Sequence, residues 1–284
     1  MSTETRLNSA FNGCLHLSAD NSSRFVFMSD VHRGIGDGAD DFSQNSALWH
    51  AAMEHYWREG YTYFELGDGD ELWENRRFHQ ILKAHREVFA VMERFYRANR
   101  LYMLYGNHDI MKRDEKWRKK NLQGCLLPNS RICVPIFNNL QIHEAIVLDG
   151  ADGKTYCLCH GNQGDFFNST LWRFSRAFVH TLWAGLQIFG MREPFRTSQN
   201  PDKLHQVDQK LEKWAEKHGC ILIAGHTHRP YLGSLSNKGY VNDGCCIHPG
   251  EINAVEMING KLQLVQWSVR SRADGVLYAG RTVL

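Results

Sequence analysis

The 284-residue sequence lacks several of the usual carriers of chemistry. It has no CxxC pair, no GxSxG and no P-loop glycine motif. A paired-thiol centre, an elbow-type serine nucleophile and a Walker-type phosphate cradle are therefore not expected. Prolines number only six, and there is no Gly/Ser-rich stretch, internal repeat or low-complexity tract, which argues against domains strung on linkers. The longest apolar stretch, Phe178–Met191, is broken by His180, Thr181 and Gln187 and is too short to span a bilayer. The opening MSTETRLNSAFNGCLHL shows no basic region followed by an apolar core, so no secretory leader is expected and a cytoplasmic location is. Neither sign of charge dominates: 33 Lys and Arg against 31 Asp and Glu leave a formal +2, and nothing in that balance points to a specific nucleic acid.

What is in surplus is histidine, at 15 residues, which invites a search for metal or acid–base chemistry. Hydrophobic residues at 43% and charged residues at 23% describe an ordinary globular chain, expected as a single domain over 1–284. The eight cysteines follow no framework. In a reducing compartment they behave as small core residues, and strand alternation places Cys157 and Cys159 on one buried face.

Short apolar runs alternate with helix-length amphipathic segments. FVFMS (25–29), YTYFEL (61–66), LYMLY (101–105), TYCLC (155–159) and CILIA (220–224) read as buried strands. Helices are expected over Ser43–Glu59, Phe78–Arg97 and about Lys203–Lys217. Beyond residue 237 AVEMI and KLQLVQW flank a turn at Asn259-Gly260. This alternation points to an α/β sheet of crossover units.

Each of the five strands runs straight into cation-binding side chains. The first continues into Asp30-Val31-His32, the second into Gly67-Asp68, and the third into Gly106-Asn107-His108-Asp109. The fourth ends in His160-Gly161 and the fifth in Gly225-His226-Thr227-His228. Carboxyl ends of strands are where ligands bind in α/β sheets. A DxH or an HG is weak alone; all five in order, each after a strand, are specific.

With these residues in view, the sequence resembles the calcineurin-like metallophosphoesterases, whose ordered motifs are matched by DVH, GDGDE, GNHD, HG and GHTH across about 25–230. The resemblance implies a four-layer α/β/β/α sandwich with two metals at the sheet rim. Asp30, His32, Asp68 and His228 would hold one ion; Asp68, Asn107, His160 and His226 would hold the other, with Asp68 bridging. His108 would stabilise or protonate the leaving oxygen while a carboxylate, Asp109 or Glu71, orients it; His108 and Asp109 are the expected catalytic residues. The donor set suits two divalent transition-metal ions, manganese first, then Fe, Zn, Ni or Co. Ions about 3.5–4 Å apart would clamp an in-line displacement by a bridging hydroxide.

A narrower resemblance points to the bacterial UDP-2,3-diacylglucosamine hydrolase branch, through GDGDELWE and GHTHRP. The chain departs from that branch at His108, where an arginine is usual, and at Asn162, where an aspartate is. The branch places a helical cap between its fourth and fifth motifs, expected here at about 165–215. There Leu171, Phe174, Phe178 and Leu182 recur at helical spacing beside Arg173 and Arg176. Arg173, Phe174, Arg176 and Phe178 are the expected substrate-binding residues, although such a stripe equally describes core packing. The expected function is hydrolysis of a phosphoric ester or anhydride, with a pyrophosphatase on a nucleotide-linked or lipid-linked substrate as the leading case. A phosphodiesterase, a protein phosphatase and a non-catalytic scaffold are the alternatives. Partners are a phosphate-bearing small molecule or lipid, with peripheral contact at the inner membrane face through the cap. The basic segment Lys112–Lys120 reads either as a solvated face or as a guide for an anionic substrate.

Overall fold

Strand runs rich in aromatic and β-branched residues assemble into two sheets, each covered by helices on its outer face. The computed structural model describes residues 1–122, 125–126, 133–134, 136–165, 201–233 and 238–284. The chain opens with α1 (Thr3–Phe11), β1 (Leu15–Ala19) and β2 (Arg24–Met28), then α2 (Ser46–Arg58) and β3 (Thr62–Leu66). Helices α3 (Phe78–Ala84) and α4 (Arg86–Arg97) precede β4 (Leu101–Leu104). Next come α5 (Glu115–Asn121), β5 (Cys125–Leu126), β6 (Cys133–Val134), β7 (Ile142–His143), β8 (Ala145–Gly150) and β9 (Thr155–Cys159). The sixth described helix, α6 (Pro201–His218), leads into β10 (Ile221–Ala224), β11 (Tyr231–Leu232) and β12 (Gly239–Asn242). Strands β13 (Glu251–Ile258), β14 (Lys261–Ser271) and β15 (Leu277–Val283) follow.

One large sheet runs β15-β14-β13-β2-β3-β4-β7 and the other β1-β8-β9-β10-β12-β11, while β5 and β6 pair as a separate two-stranded ribbon. Their inner faces meet through Phe27, Phe64, Leu66 and Leu104 on one side and Ile146, Leu158, Ile223 and Val241 on the other. Outside the first sheet, Trp49, Met53, Phe89 and Met92 pack on Val26, Tyr63 and Met103. Outside the second, Leu7, Leu211 and Trp214 pack on Cys157, Cys159 and Leu222. The result is the four-layer α/β/β/α order. Burying each large apolar side chain is worth about 1.5–3 kcal/mol, so these three layers of contact hold the strand ends in fixed relation. Cys157 and Cys159 are buried, unpaired core residues.

Two expectations are corrected. The helix expected over Phe78–Arg97 breaks at His85, whose backbone leaves helical geometry (φ −117°, ψ 38°). Its Nε2 lies 2.7 Å from Asp40 Oδ2, a buried polar pairing that outweighs one residue of helix. The basic segment Lys112–Lys120 is not uniformly solvated: Lys112 is fully buried, while Lys119 and Lys120 of α5 are exposed. The β13–β14 turn is as expected, with Asn259 and Gly260 both at positive φ as a type I′ turn demands. Of the expected cap, residues 201–215 belong to α6; Arg173, Phe174, Arg176 and Phe178 lie outside the described residues. Among the described residues no helix is long and apolar enough to cross a membrane.

Candidate metal centre

Strands β2, β3 and β4 are parallel neighbours in one sheet, and β9 and β10 are parallel neighbours in the other. Their carboxyl ends therefore open on the same rim. Asp30 and His32 follow β2, Asp68 follows β3, Asn107 and His108 follow β4, His160 follows β9, and His226 and His228 follow β10.

The backbone there is unusual. Among described non-glycine residues only eight have positive φ, and five are Asp30, His32, Asp68, His226 and His228. Each such residue costs roughly 1–2 kcal/mol and persists where its surroundings over-determine it. Part of that determination is backbone bonding between loops: Asp30 N donates to Gly67 O and His32 N to Asp68 O. Gly106 admits the rest of the site, because a Cβ there would collide with the Asp68 carboxylate and stand 2.7 Å from the His160 ring.

Three groups of potential ligands converge, each with donor atoms within 4.8 Å of one another: Asp30, His32 and His228; Asp68, His160 and His226; and His32, Glu71 and His108. Asp30 Oδ1 lies 3.0 Å from His228 Nε2 and 3.5 Å from His32 Nε2. Asp68 Oδ2 lies 3.0 Å from His160 Nε2. The remaining polar atoms orient these groups. His160 Nδ1 donates to Leu66 O at 3.0 Å, and His32 Nδ1 donates to Glu71 Oε2 at 3.0 Å, which turns each Nε2 toward the rim as a ligand nitrogen. Asp30 Oδ2 accepts from His226 N at 2.7 Å and from Ser29 Oγ at 2.5 Å. Ser29 Oγ is also 2.6 Å from Asp243 Oδ1. Burial pushes the Asp243 carboxyl well above its usual range.

Charge and burial are in tension throughout. Burial alone would push the Asp30 carboxyl up, but the His228 and His160 imidazoles hold it well below the usual range. Burial would likewise lower His160, yet Asp68 and Asp30 push it up to about 9. Four rim atoms, His32 Nε2, Asn107 Oδ1, His160 Nε2 and His226 Nε2, are buried without a well-formed hydrogen bond, the three nitrogens facing only the carboxylates of Asp30, Asp68 and Asp165. An unsatisfied buried polar atom ordinarily costs about 1–3 kcal/mol. Carboxylates, imidazoles and an amide oxygen with free lone pairs fit divalent transition metals.

His108 stands beside these groups. Its Nδ1 lies 2.7 Å from Glu71 Oε2 and 2.9 Å from Oε1. Its ring stacks on Trp73 at 4.1 Å and 17°, and Trp73 Nε1 donates to Asn107 O. Burial opposes charging of His108, but Glu71 and Asp68 raise its pKa overall. Asp109, expected beside His108 as a catalytic residue, is placed elsewhere. Its fully buried oxygens accept from Gly106 N, Gly69 N and Lys112 Nζ, so Glu71 orients His108 and Asp109 ties the loops together. Sequence reading passed over Arg33, Asp70, Ser29 and Asp243; only their adjacency to expected ligands or strand ends could have marked them.

The calcineurin-like phosphoesterase family model matches residues 23–230, and the chain belongs to that family. It is a metallophosphoesterase, a hydrolase of a divalent-metal-dependent family, acting on phosphate-bearing substrates. Among solved structures it is similar to vacuolar protein sorting 29 from Cryptosporidium parvum, at 14% identity and TM-score 0.41, covering 92% of this chain and 97% of that one. It is also similar to Yfce, a phosphoesterase from E. coli, at 12% identity and TM-score 0.41, covering 91% and 98%. Likenesses this small carry no functional argument. No curated protein matches the chain.

Proposed function

We propose that the rim holds two divalent ions, manganese foremost, and hydrolyses a phosphoric anhydride or ester. Two convergent, largely buried groups, Asp30 with His32 and His228 and Asp68 with His160 and His226, are the observation that carries this reading. Asp30, His32, Asp68 and His228 would hold one ion, and Asp68, Asn107, His160 and His226 the other. Paired ions of this kind polarise a phosphate and acidify water. The chain's own residues do the rest. His108, held through Nδ1 by Glu71 and clamped on Trp73, presents Nε2 to donate a proton to the departing oxygen. Glu71 keeps that proton on the ring by stabilising the imidazolium.

For substrate, we favour a pyrophosphate linkage on a nucleotide-linked or lipid-linked molecule, after the likeness of GDGDELWE and GHTHRP to the UDP-2,3-diacylglucosamine hydrolase branch. Arg173, Phe174, Arg176 and Phe178 are proposed to meet that substrate, with peripheral contact at the inner face of a membrane. His108, in place of that branch's arginine, favours a phosphodiester as the second reading. The test is turnover of UDP-diacylglucosamine against bis(p-nitrophenyl) phosphate by manganese-loaded protein. Preference for the UDP substrate by roughly tenfold or more in kcat/KM supports the first reading; hydrolysis of the diester alone supports the second. No hydrolysis of either, with metal bound, would contradict both.

A further inference from the structure

Charged residues trail three of the expected ligands: Arg33 after His32, Asp70 two beyond Asp68, and Asp109 two beyond Asn107. None of them faces solvent. With Glu65 of β3 and Lys112 they form a cluster in which every member is at most 1% exposed. Arg33 grips Glu65 with both terminal nitrogens, each at 2.8 Å, and Asp70 Oδ1 with Nε at 2.7 Å. Lys112 Nζ reaches Asp70 Oδ2 at 2.7 Å and Asp109 Oδ2 at 2.6 Å. Tyr63 OH donates to Glu65 Oε2. The backbone repeats the connection: Arg33 N donates to Gly69 O, Glu71 N donates to Arg33 O, and Gly69 N donates to Asp109 Oδ2.

Stability alone does not account for this cluster. Moving each charge out of water costs several kcal/mol, and well-packed apolar side chains commonly do as well or better. What apolar residues cannot do is fix direction. The Arg33 fork admits one orientation of Glu65, and each anion in the cluster except Glu65 lies on a loop that carries a ligand. The loops of Arg33 and Asp70 hold Asp30, His32 and Asp68 at positive φ, a geometry that persists where the surroundings impose it. We infer that Arg33, Glu65, Asp70, Asp109 and Lys112 are positioning residues, an ionic lattice that sets the loops bearing His32, Asp68 and Asn107 in ligand geometry before a cation arrives. The inference rests on the metal-centre reading above.

The test is Mn2+ binding by titration calorimetry on the full chain, with Tm measured on the metal-free protein. The double variant Arg33→Met with Glu65→Met removes one cation and one anion, so the charge of the cluster is unchanged and folding is least disturbed. It should keep a cooperative unfolding transition while its Kd for Mn2+ rises about 10–100-fold, the usual effect of losing the groups that orient metal ligands. Arg33→Lys keeps the charge but loses the fork; it should fall between wild type and double variant. A folded double variant with wild-type Kd would overturn the inference. Should the double variant not fold, wild-type Kd in Arg33→Lys would overturn it equally. Failure of the wild-type protein itself to bind Mn2+ would overturn the metal-centre reading with it. Two ions bound equally tightly by wild type and variant would overturn the lattice alone.

Discussion

Two buried carboxylate clusters in this molecule look alike in composition and differ in completeness. Glu256 on β13 is fully buried. It accepts from Tyr56 and Tyr61 hydroxyls, from Gln263, and from both Nε and a terminal nitrogen of Arg281. Burial would push its pKa up, yet the Arg281 and Gln263 bonds bring it below the usual range. None of its members has positive φ. The rim also buries carboxylates among polar partners, but leaves His32, Asn107, His160 and His226 each with an atom that makes no well-formed hydrogen bond, and bends the backbone at His32 and His226 out of its favoured region. A closed cluster stabilises a fold. An open one, held open against a cost of about 1–3 kcal/mol per atom, is arranged for something that completes it. Between these two clusters, burial of charge therefore does not separate structure from function, whereas satisfaction does.

The contrast is broken most severely at Asp68, which touches His160 through Oδ2 and His108 N through Oδ1. Asp68→Ala should abolish stoichiometric metal and reduce turnover by roughly 10³-fold or more, read by elemental analysis and hydrolysis of a phosphodiester. A full complement of metal in that variant would defeat the assignment. His108→Ala should keep both ions yet lose about 10²–10⁴-fold in kcat. The loss should be smaller for nitrophenyl than for alkyl esters, because a good leaving group needs little protonation. Equal losses would remove His108 from that role.

Glu256→Gln should do the reverse, leaving metal content and kcat unchanged while lowering Tm. Losing a charged hydrogen bond is worth about 1.5–3 kcal/mol, or about 2–4 °C per kcal/mol, measurable by calorimetry. A fall in kcat at unchanged Tm would contradict the division. The smallest effect concerns Asp40, buried beside His85. Burial raises its pKa, but His85 and the Gly36 amide outweigh that and lower it. Its folded pKa lies below its unfolded one, so its contribution is present above about pH 4 and is lost as pH falls through the folded value. The Tm difference between wild type and Asp40→Asn should therefore narrow below about pH 4; a constant difference would refute the linkage.

What the sequence disclosed follows the same division. The five strands that feed the rim were legible because a buried strand is a dense apolar run and a ligand motif at its end breaks that run abruptly. TYCLC matches β9 residue for residue. The break at His85 was illegible, because its cause, Asp40, lies 45 residues away. Lys112 was illegible for a related reason: within KRDEKWRKK it has the same local appearance as Lys119 and Lys120, and only the fold sets Asp70 and Asp109 around it. The choice between Asp109 and Glu71 as partner of His108 was undecidable from spacing, since both carboxylates stand near the motif. Side-chain direction decides it. Ligands at strand ends are thus readable from local pattern, while the groups that orient them depend on contacts between distant segments.

Anomalous diffraction at the manganese edge, from crystals grown with Mn2+, tests the central claim most directly. The account predicts two peaks, one among Asp30, His32 and His228 and one among Asn107, His160 and His226, with Asp68 between them. The absence of both peaks, or a single peak at the third converging group of His32, Glu71 and His108, would contradict it.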